Sequence, residues 1–319
     1  MNNFKKIGLT ALAGSLVATS VYAGEMSVAG SASWRMSNHA GTDGGKTMAM
    51  GNQLTFTGGG EMDNGMNVSL SFVIDHGDGA AAGGAGFDSH SISVGSDAMG
   101  TVTFAGDGAS SAQNTIDTTA AGDIWDNTFT AADGTTAYAN PGNASAGTKT
   151  LRWTLPSLMD GLAADVSYTG SGLGAEATVG YALTYTGVEG LSVSYGAGEV
   201  AGNTAGTTGA DVTTMKASFA FGPITAAMSI NDYDITGASN EEQSSYKISY
   251  SVSDELSVSY GSETHETTGQ STDEEFDQIS VSYTTGGLTA SVRQTNADNV
   301  TGATQTEQSQ WNVGLSFAF

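Results

Sequence analysis

The sequence predicts an all-β protein, a 16-stranded antiparallel β-barrel that crosses a membrane with its strands. Apolar and polar residues alternate along most of the chain, which is the pattern of strands with one apolar face. Short turns and longer polar loops alternate between these segments, as in transmembrane barrels. After the N-terminal segment, no stretch approaches the roughly 18 consecutive apolar residues that a membrane helix needs.

The first five strands are predicted at about 25–37, 48–59, 66–74, up to Val94, and 101–104. The next segment, 106–147, has little strand pattern and is too long to be an ordinary connection. Eleven further strands are marked by alternating large apolar residues, among them Leu151, Trp153, Val166, Tyr168, Tyr181, Leu183, Val193, Tyr195, Met215, Phe219, Met228, Ile230, Tyr246, Ile248, Val258, Tyr260, Ile279, Val281, Leu288 and Val292. The last strand ends the chain.

Seven short turns separate these strands in pairs: 63–65, 96–100, 156–161, 186–190, 222–223, 253–255 and 285–287. Eight longer, polar or glycine-rich loops lie between the turns. Within lipid every backbone N–H and C=O needs a partner, so a spanning sheet cannot keep a free edge. The first strand is therefore expected to pair with the last.

The N-terminus has the features of a secretory signal. Lys5 and Lys6 precede a short apolar run, 7–18, and Val21-Tyr22-Ala23 offers small residues for cleavage. The run is too short to span about 30 Å of hydrocarbon as a helix. We expect residues 1–23 to be the signal and 24–319 to be the barrel domain.

Composition excludes several classes of function. The chain has no cysteine, so it is neither a disulfide scaffold nor a thiolate metal site. The formal net charge is −24, and loss of Lys5 and Lys6 would make it still more negative. Binding to nucleic acid requires clustered basic residues, so none is expected. A soluble β-sandwich or solenoid remains an alternative, although no fixed-period repeat is visible.

Few residues suggest catalysis or a cofactor. The histidines, His39, His76, His90 and His265, lie mostly in or beside predicted loops without a recognisable serine or carboxylate partner, so no enzyme is expected. No cofactor or metal site is predicted. Ca²⁺ on acidic loops is a minor alternative, with Asp232-Tyr233-Asp234 and Asp273-Glu274-Glu275 as candidates that match no ordered calcium loop.

Three stretches resemble the trimeric outer-membrane porins of Gram-negative bacteria. Gly100–Asp107 (GTVTFAGD) resembles the family's strand before its constriction loop. Residues 151–162 (LRWTLPSLMDGL), continuing to Tyr168, resemble the hairpin after that loop. The strand ending at Phe319 is similar to the family's assembly signal, which would comprise Trp311, Val313, Leu315, Phe317 and Phe319.

The resemblance implies a homotrimer of 16-stranded barrels with a long third loop folded into the lumen. That loop, 106–147, would supply the acidic side of a pore constriction through Asp107, Asp117, Asp123, Asp126 and Asp133. Basic residues would face it. Only Arg35 and Lys46 come from the first strands, which supply most of the family's arginines, and Arg152, Lys216, Lys247 and Arg293 are the other candidates. The alternation places these last four opposite the apolar face.

The sequence therefore predicts an outer-membrane channel for passive diffusion of small hydrophilic solutes and ions, with a bias toward cations from its negative charge. The resemblance implies outer-membrane lipid, lipopolysaccharide and the assembly machinery as partners. A solute-specific porin with a binding site at the constriction is one alternative. A structural or adhesive surface barrel that does not conduct is another.

Overall fold

The computed structural model describes residues 26–38, 46–75, 88–124, 149–170, 176–201, 209–235, 237, 239–300 and 307–319. The predicted signal, 1–23, lies outside these residues. Sixteen strands are described: β1 Met26–Asn38, β2 Lys46–Glu61, β3 Asn67–Asp75, β4 Ser89–Ser96, β5 Gly100–Asp107, β6 Thr150–Thr154, β7 Leu162–Thr169, β8 Thr178–Val188, β9 Leu191–Val200, β10 Ala210–Phe221, β11 Ile224–Ile235, β12 Glu241–Ser251, β13 Leu256–Thr267, β14 Glu274–Thr285, β15 Leu288–Asp298 and β16 Gln308–Ala318. The remaining regular element is a 3₁₀ turn, Gln113–Thr115.

The strands form one closed antiparallel barrel in which each pairs with its neighbours in sequence. β1 closes the sheet against β16, with Trp34 opposite Leu315 and Arg35 opposite Gly314. The predicted 16-stranded antiparallel barrel is thus confirmed. Closure leaves no strand edge without a hydrogen-bonding partner, as a sheet within lipid requires. The strand ends extend a few residues beyond the sequence prediction, most clearly in β5, which continues to Asp107.

The two faces of the sheet differ sharply in chemistry. On β10, Met215, Phe219 and Phe221 are exposed, while the residues on either side of Met215 are buried (Thr214) or half-buried (Lys216). The same alternation runs through the other strands, and it defines an apolar face and a polar face. Large apolar side chains exposed around a closed sheet fit contact with lipid, which leaves the polar face to line the interior.

Buried apolar side chains are few and concentrated where the segment after β5 contacts the sheet. One cluster joins Ala121 and Ile124 of that segment to Phe276, Ala297 and Val300. A second joins Ala112 and Ile116 to Ala182 of β8. The polar face is therefore packed against protein along part of its circumference.

In the described part of the chain, no helix is long and apolar enough to cross a membrane.

Candidate functional site: the segment after β5 and the polar face

Residues 109–124 follow β5 and are hydrogen-bonded to the polar face of five strands. The Ala112 amide donates a 2.7 Å hydrogen bond to Ser167 Oγ on β7. Gln113 Nε2 donates to Thr214 Oγ1 on β10 at 2.7 Å, and Ser229 Oγ on β11 donates to the Thr118 carbonyl at 2.9 Å. On β12, Ser245 Oγ accepts from the Ala120 amide at 2.7 Å. Thr119 Oγ1 donates to the buried Glu263 carboxylate on β13.

Glycines on the polar face make room for this segment. A Cβ on Gly196 of β9 would lie 3.0 Å from Ile116 Cδ1 and 3.3 Å from Gln113 Cα. A Cβ on Gly261 of β13 would lie 3.1 Å from the Ala121 Cβ. Because such contacts are tighter than ordinary packing, side chains at these positions would push the segment away from the sheet.

An ion pair adds to these hydrogen bonds. Lys216 Nζ on β10 lies 2.7 Å from Asp117 Oδ2 and donates a 2.8 Å hydrogen bond to the Thr119 carbonyl. Asp117 also accepts a hydrogen bond from the Thr119 amide through its other oxygen. A charge-assisted contact of this kind fixes both partners more strictly than a neutral one.

A row of buried polar side chains lies beside the segment on the same face. Thr214, Asn231, Gln243, His265 and Glu274 occupy directly opposite positions on β10 to β14. Thr214 Oγ1 donates to Asn231 Oδ1 at 2.5 Å, and Gln243 Nε2 lies 3.1 Å from His265 Nε2. The His265 ring also packs on Phe276, with centroids 5.3 Å apart. Hydrogen bonds within this row hold the polar side chains of β10 to β14 in fixed positions beside residues 109–124.

The predicted acidic residues occupy different environments. Asp117 is paired with Lys216, while Asp107 closes β5, where its Oδ1 accepts a hydrogen bond from the Gly108 amide. Asp123 is exposed and adopts a positive φ of 51°. Asp126 and Asp133 lie outside the described residues.

Five of the six predicted basic residues lie on the polar face. Arg35, Arg152, Lys216, Lys247 and Arg293 all alternate with exposed apolar neighbours. Lys46 differs, because it shares the alternation of Met48 and Met50 on the apolar face. Arg152 has a carboxylate close by, with its Nε 3.9 Å from Asp165 Oδ1. We therefore leave Lys46 out of the basic side of the site.

Sequence reasoning missed four residues that hold the segment: Gln113, Thr119, Glu263 and Phe276. Gln113, Glu263 and Phe276 have no exposed surface. Phe276 is a large apolar residue at a polar-face position, opposite Glu263 and Ala297. That break in alternation is the signal that could have identified a buried contact there.

Within the described ranges, no group of three or more His, Asp or Glu residues could hold a metal ion. This includes both acidic stretches considered for Ca²⁺, Asp232-Tyr233-Asp234 and Asp273-Glu274-Glu275. His265 is buried and His90 is exposed at the start of β4, while His39 and His76 lie outside the described residues.

Comparison with known proteins gives a consistent result. The anion-selective porin from Comamonas acidovorans has a TM-score of 0.70 at 14% identity, over 92% of this chain and 99% of that one. A mutant of the Rh. blastica porin has a TM-score of 0.66 at 15% identity, over 92% and 100% of the two chains. OmpF of Salmonella typhi, in complex with daunomycin, has a TM-score of 0.70 at 12% identity, over 93% and 98%. At these identities the likeness concerns the fold alone.

Among curated proteins, no sequence match was found. A family model described as Gram-negative porin matches residues 8–319, nearly the whole chain. Proteins of this family and fold are channels rather than enzymes and reside in the outer membrane. The strand order, the closed sheet and this match lead to one conclusion: the chain belongs to the Gram-negative porin family.

Proposed function

We propose that this protein is an outer-membrane porin whose water-filled lumen lets small hydrophilic solutes and ions diffuse passively, with a modest preference for cations. The observation that carries the proposal is the anchoring of residues 109–124 to the polar face of five strands by side-chain hydrogen bonds. A barrel of sixteen strands is wide enough to leave an aqueous channel.

In this proposal residues 109–124 lie in the lumen and narrow it. Their hydrogen-bonding partners alternate with exposed apolar residues, and in a membrane barrel that face points inward. Among the described residues, the segment covers one side of the wall, from β7 to β15, and leaves the side formed by β16 and β1 to β6 for solutes. Sieving then depends on the gap between the segment and the uncovered side.

The cation preference rests on carboxylates near that gap. At 0.1 M salt, an exposed charge more than about 10 Å from a permeating ion is largely screened and has little effect on it. The charges beside the narrow region therefore matter more for selectivity than the net charge of −24. Asp107, Asp123, Asp126 and Asp133 are the candidates, since the charge of Asp117 is balanced by Lys216. The similar Comamonas acidovorans porin is anion-selective, so the fold by itself does not decide the preference, and the proposal depends on these carboxylates.

The functional unit in this proposal is a homotrimer in contact with outer-membrane lipid and lipopolysaccharide. Among the described residues, tyrosines lie on the apolar face only from β7 to β14, at Tyr168, Tyr181, Tyr185, Tyr195, Tyr246, Tyr250, Tyr260 and Tyr283. Residues 26–124 contain no tyrosine, and β1 and β2 present Met26, Met36, Met48 and Met50 instead. Tyrosine favours the lipid headgroup region, while methionine packs adaptably against protein, so the subunit contact is assigned to β1 and β2.

Export by a signal cleaved after Ala23 and insertion through the C-terminal strand complete the proposal. Trp311, Val313, Leu315, Phe317 and Phe319 all lie on the apolar face of β16 and its end, where an assembly factor reaches them from the membrane side.

Planar-bilayer recording tests the function directly. Purified protein should insert in large ohmic steps that occur in threes, and a salt gradient should give a reversal potential that favours cations. A reversal potential near zero or of opposite sign would remove the cation preference while leaving the channel. Absence of conductance from folded protein would favour a structural or adhesive barrel instead.

A further inference from the structure

Side chains rich in hydroxyl groups form two rows across the polar face of β3 to β6. The first row, nearest the short turns, comprises the directly opposite residues Asn67, Gly95, Thr101 and Thr154. The second row, two residues further along each strand, comprises Ser69, Ser93, Thr103 and Arg152. These strands belong to the side of the wall that is left for solutes.

A recess of about 530 Å³ opens over these rows, at the end of the barrel that carries the short turns. Hydroxyl groups from all four strands line it, among them those of Ser69, Ser93, Thr101 and Thr154, and Asn67 adds an amide. The volume lies within the range of small-molecule sites, about 300–1,000 Å³. The recess is therefore large enough for a small solute and is lined mainly by neutral polar groups.

Gly95 forms the floor of the recess. It is buried, and a Cβ at this position would lie 2.6 Å from Thr101 Oγ1 and 2.7 Å from the Gly100 carbonyl oxygen. A side chain there would displace the Thr101 hydroxyl and take up the space. The recess therefore exists because β4 has a glycine where the neighbouring strands carry polar side chains.

The hydroxyls of the recess keep hydrogen-bonding capacity for a solute. Ser69 and Thr101 are exposed, and neither side chain is hydrogen-bonded to another described residue. Thr154 Oγ1 donates to Asp165 Oδ1 at 2.5 Å, which leaves its lone pairs able to accept. Since a hydroxyl has one donor and two acceptor positions, the recess presents both donors and acceptors.

The recess carries little charge. Among the described residues that line it, Asp97 is the charged one, and it lies in the exposed turn between β4 and β5. Arg152 of the second row has a carboxylate beside it, with its Nε 3.9 Å from Asp165 Oδ1. An ion that leaves water loses strong hydration, and these hydroxyls do not replace it. An uncharged solute with hydroxyl groups exchanges one hydrogen bond for another.

We propose that this recess, called the Ser69–Thr101 recess below, is a weak binding site for uncharged polyhydroxylated solutes, the mono- and disaccharides, as they pass through the channel. The proposal rests on the proposed channel function, because the recess must face the lumen. Adjacent hydroxyls of a sugar can pair with wall hydroxyls on neighbouring strands, which lie about 4.8 Å apart. No aromatic ring of the described residues lines the recess, so stacking adds nothing and the sugar leaves readily.

The test measures current through the purified porin in planar bilayers in KCl, with glucose or maltose added to both sides. After correction for the lower conductivity of the solution, sugar should reduce the current with a saturating concentration dependence. Glycine betaine, which has neither net charge nor hydroxyl groups, should reduce it less and without saturation. S69A/T101V should weaken the sugar block about fivefold for each hydrogen bond that it removes.

T225V/S249A is the matched control. Thr225 and Ser249 lie directly opposite each other on the polar face of β11 and β12, similarly close to the short turns but on the far side of the barrel. The sugar block in this variant should equal that of the native channel. Each block is expressed relative to the KCl conductance of the same channel, so a change in ion flow is not counted as lost binding.

The outcomes separate the recess from the channel. Saturating block by glucose, by maltose or by both, weakened in S69A/T101V, would support the recess and show which size of sugar it accepts. Unaltered block in S69A/T101V, an equal loss in T225V/S249A, equal block by glycine betaine, or absence of block in the native channel would overturn the recess. Absence of KCl conductance from folded native protein would instead overturn the proposed channel.

Discussion

Lys216 Nζ lies 2.7 Å from Asp117 Oδ2, so an ion pair joins the middle of β10 to the segment after β5. The same ammonium donates to the Thr119 carbonyl, and Thr119 in turn donates to Glu263 on β13. One lysine thereby links two strands through the segment that lies between them. The contact also cancels the charge of one of the aspartates that the sequence alone would count as free in the pore.

The first prediction concerns this anchor. Lys216→Met removes the ion pair and the hydrogen bond to the Thr119 carbonyl, so residues 117–119 should move more freely. We expect noisier single-channel current and closure at lower voltage. The barrel should lose at most about 1 kcal/mol, because both partners are partly exposed and such pairs contribute little to stability.

Lys46→Met is the matched control, since Lys46 lies on the apolar face at the start of β2. It should leave current noise unchanged. Equal noise in both variants would mean that the ion pair does not hold the segment. A large fall in thermal stability with Lys216→Met would mean that the pair supports the barrel itself.

The second prediction concerns space beside the segment. Gly196→Val places a branched side chain where a Cβ alone would lie 3.0 Å from Ile116 and 3.3 Å from the Gln113 backbone. The segment should shift away from the wall and lower the conductance, with a packing penalty of about 1–3 kcal/mol. Gly58→Val is the control, since nothing lies within 4 Å of a Cβ there. Unchanged conductance in Gly196→Val would mean that the segment does not limit the current.

The strands and their two faces could be predicted from the sequence because they depend on the two-residue alternation of apolar and polar side chains. Closure of the barrel could be predicted because a sheet within lipid cannot leave backbone groups at its edges unpaired. The anchoring of 109–124 could not, because it joins residues far apart in the chain, such as Thr119 and Glu263. Asp117 illustrates the consequence. Its position in a loop suggested a free pore carboxylate, but pairing with Lys216 depends on the fold.

Lys46 and Phe276 are two residues whose environment could not be assigned securely from the alternation of apolar and polar residues alone. Lys46 shares its face with Met48 and Met50, so strict alternation would have placed it away from the lumen. Phe276 breaks the pattern at a polar-face position because Ile124 of the segment packs there. Lys46 is a charged residue at the start of a strand. Phe276 is buried by a contact with a part of the chain that is distant in sequence.

The third prediction concerns charge selectivity. Asp117→Asn, Asp123→Asn and Asp126→Asn together should reduce the cation preference, measured as the reversal potential in a salt gradient. Asp117→Asn alone should also reduce it, because this change leaves the Lys216 ammonium without its carboxylate partner. Asp63→Asn, in the exposed turn between β2 and β3, should leave the reversal potential unchanged. A triple variant with the native reversal potential would remove these residues from the selective region.

The last prediction concerns closure of the barrel at Phe319. Its amide donates to the Gly30 carbonyl at 2.9 Å, and its carbonyl accepts from the Gly30 amide at 2.9 Å. Its ring stacks on Phe317 and covers Gly30, where a Cβ would lie 2.5 Å from the Phe319 ring. The residue therefore contributes two hydrogen bonds, each worth about 0.5–1.5 kcal/mol, in addition to any part in assembly.

Deleting Phe319 should lower the stability of the refolded barrel in detergent only modestly, because seven residue pairs, from Ser31–Ala318 to Ser37–Asn312, still join β1 to β16. Insertion in cells should fall far more if the assembly machinery reads this residue. Gly30→Val tests the same closure without touching the C-terminal residue, and Gly58→Val is again its control. Equal losses in detergent and in cells for the deletion would assign Phe319 to barrel closure alone, whereas a loss confined to cells would assign it to recognition.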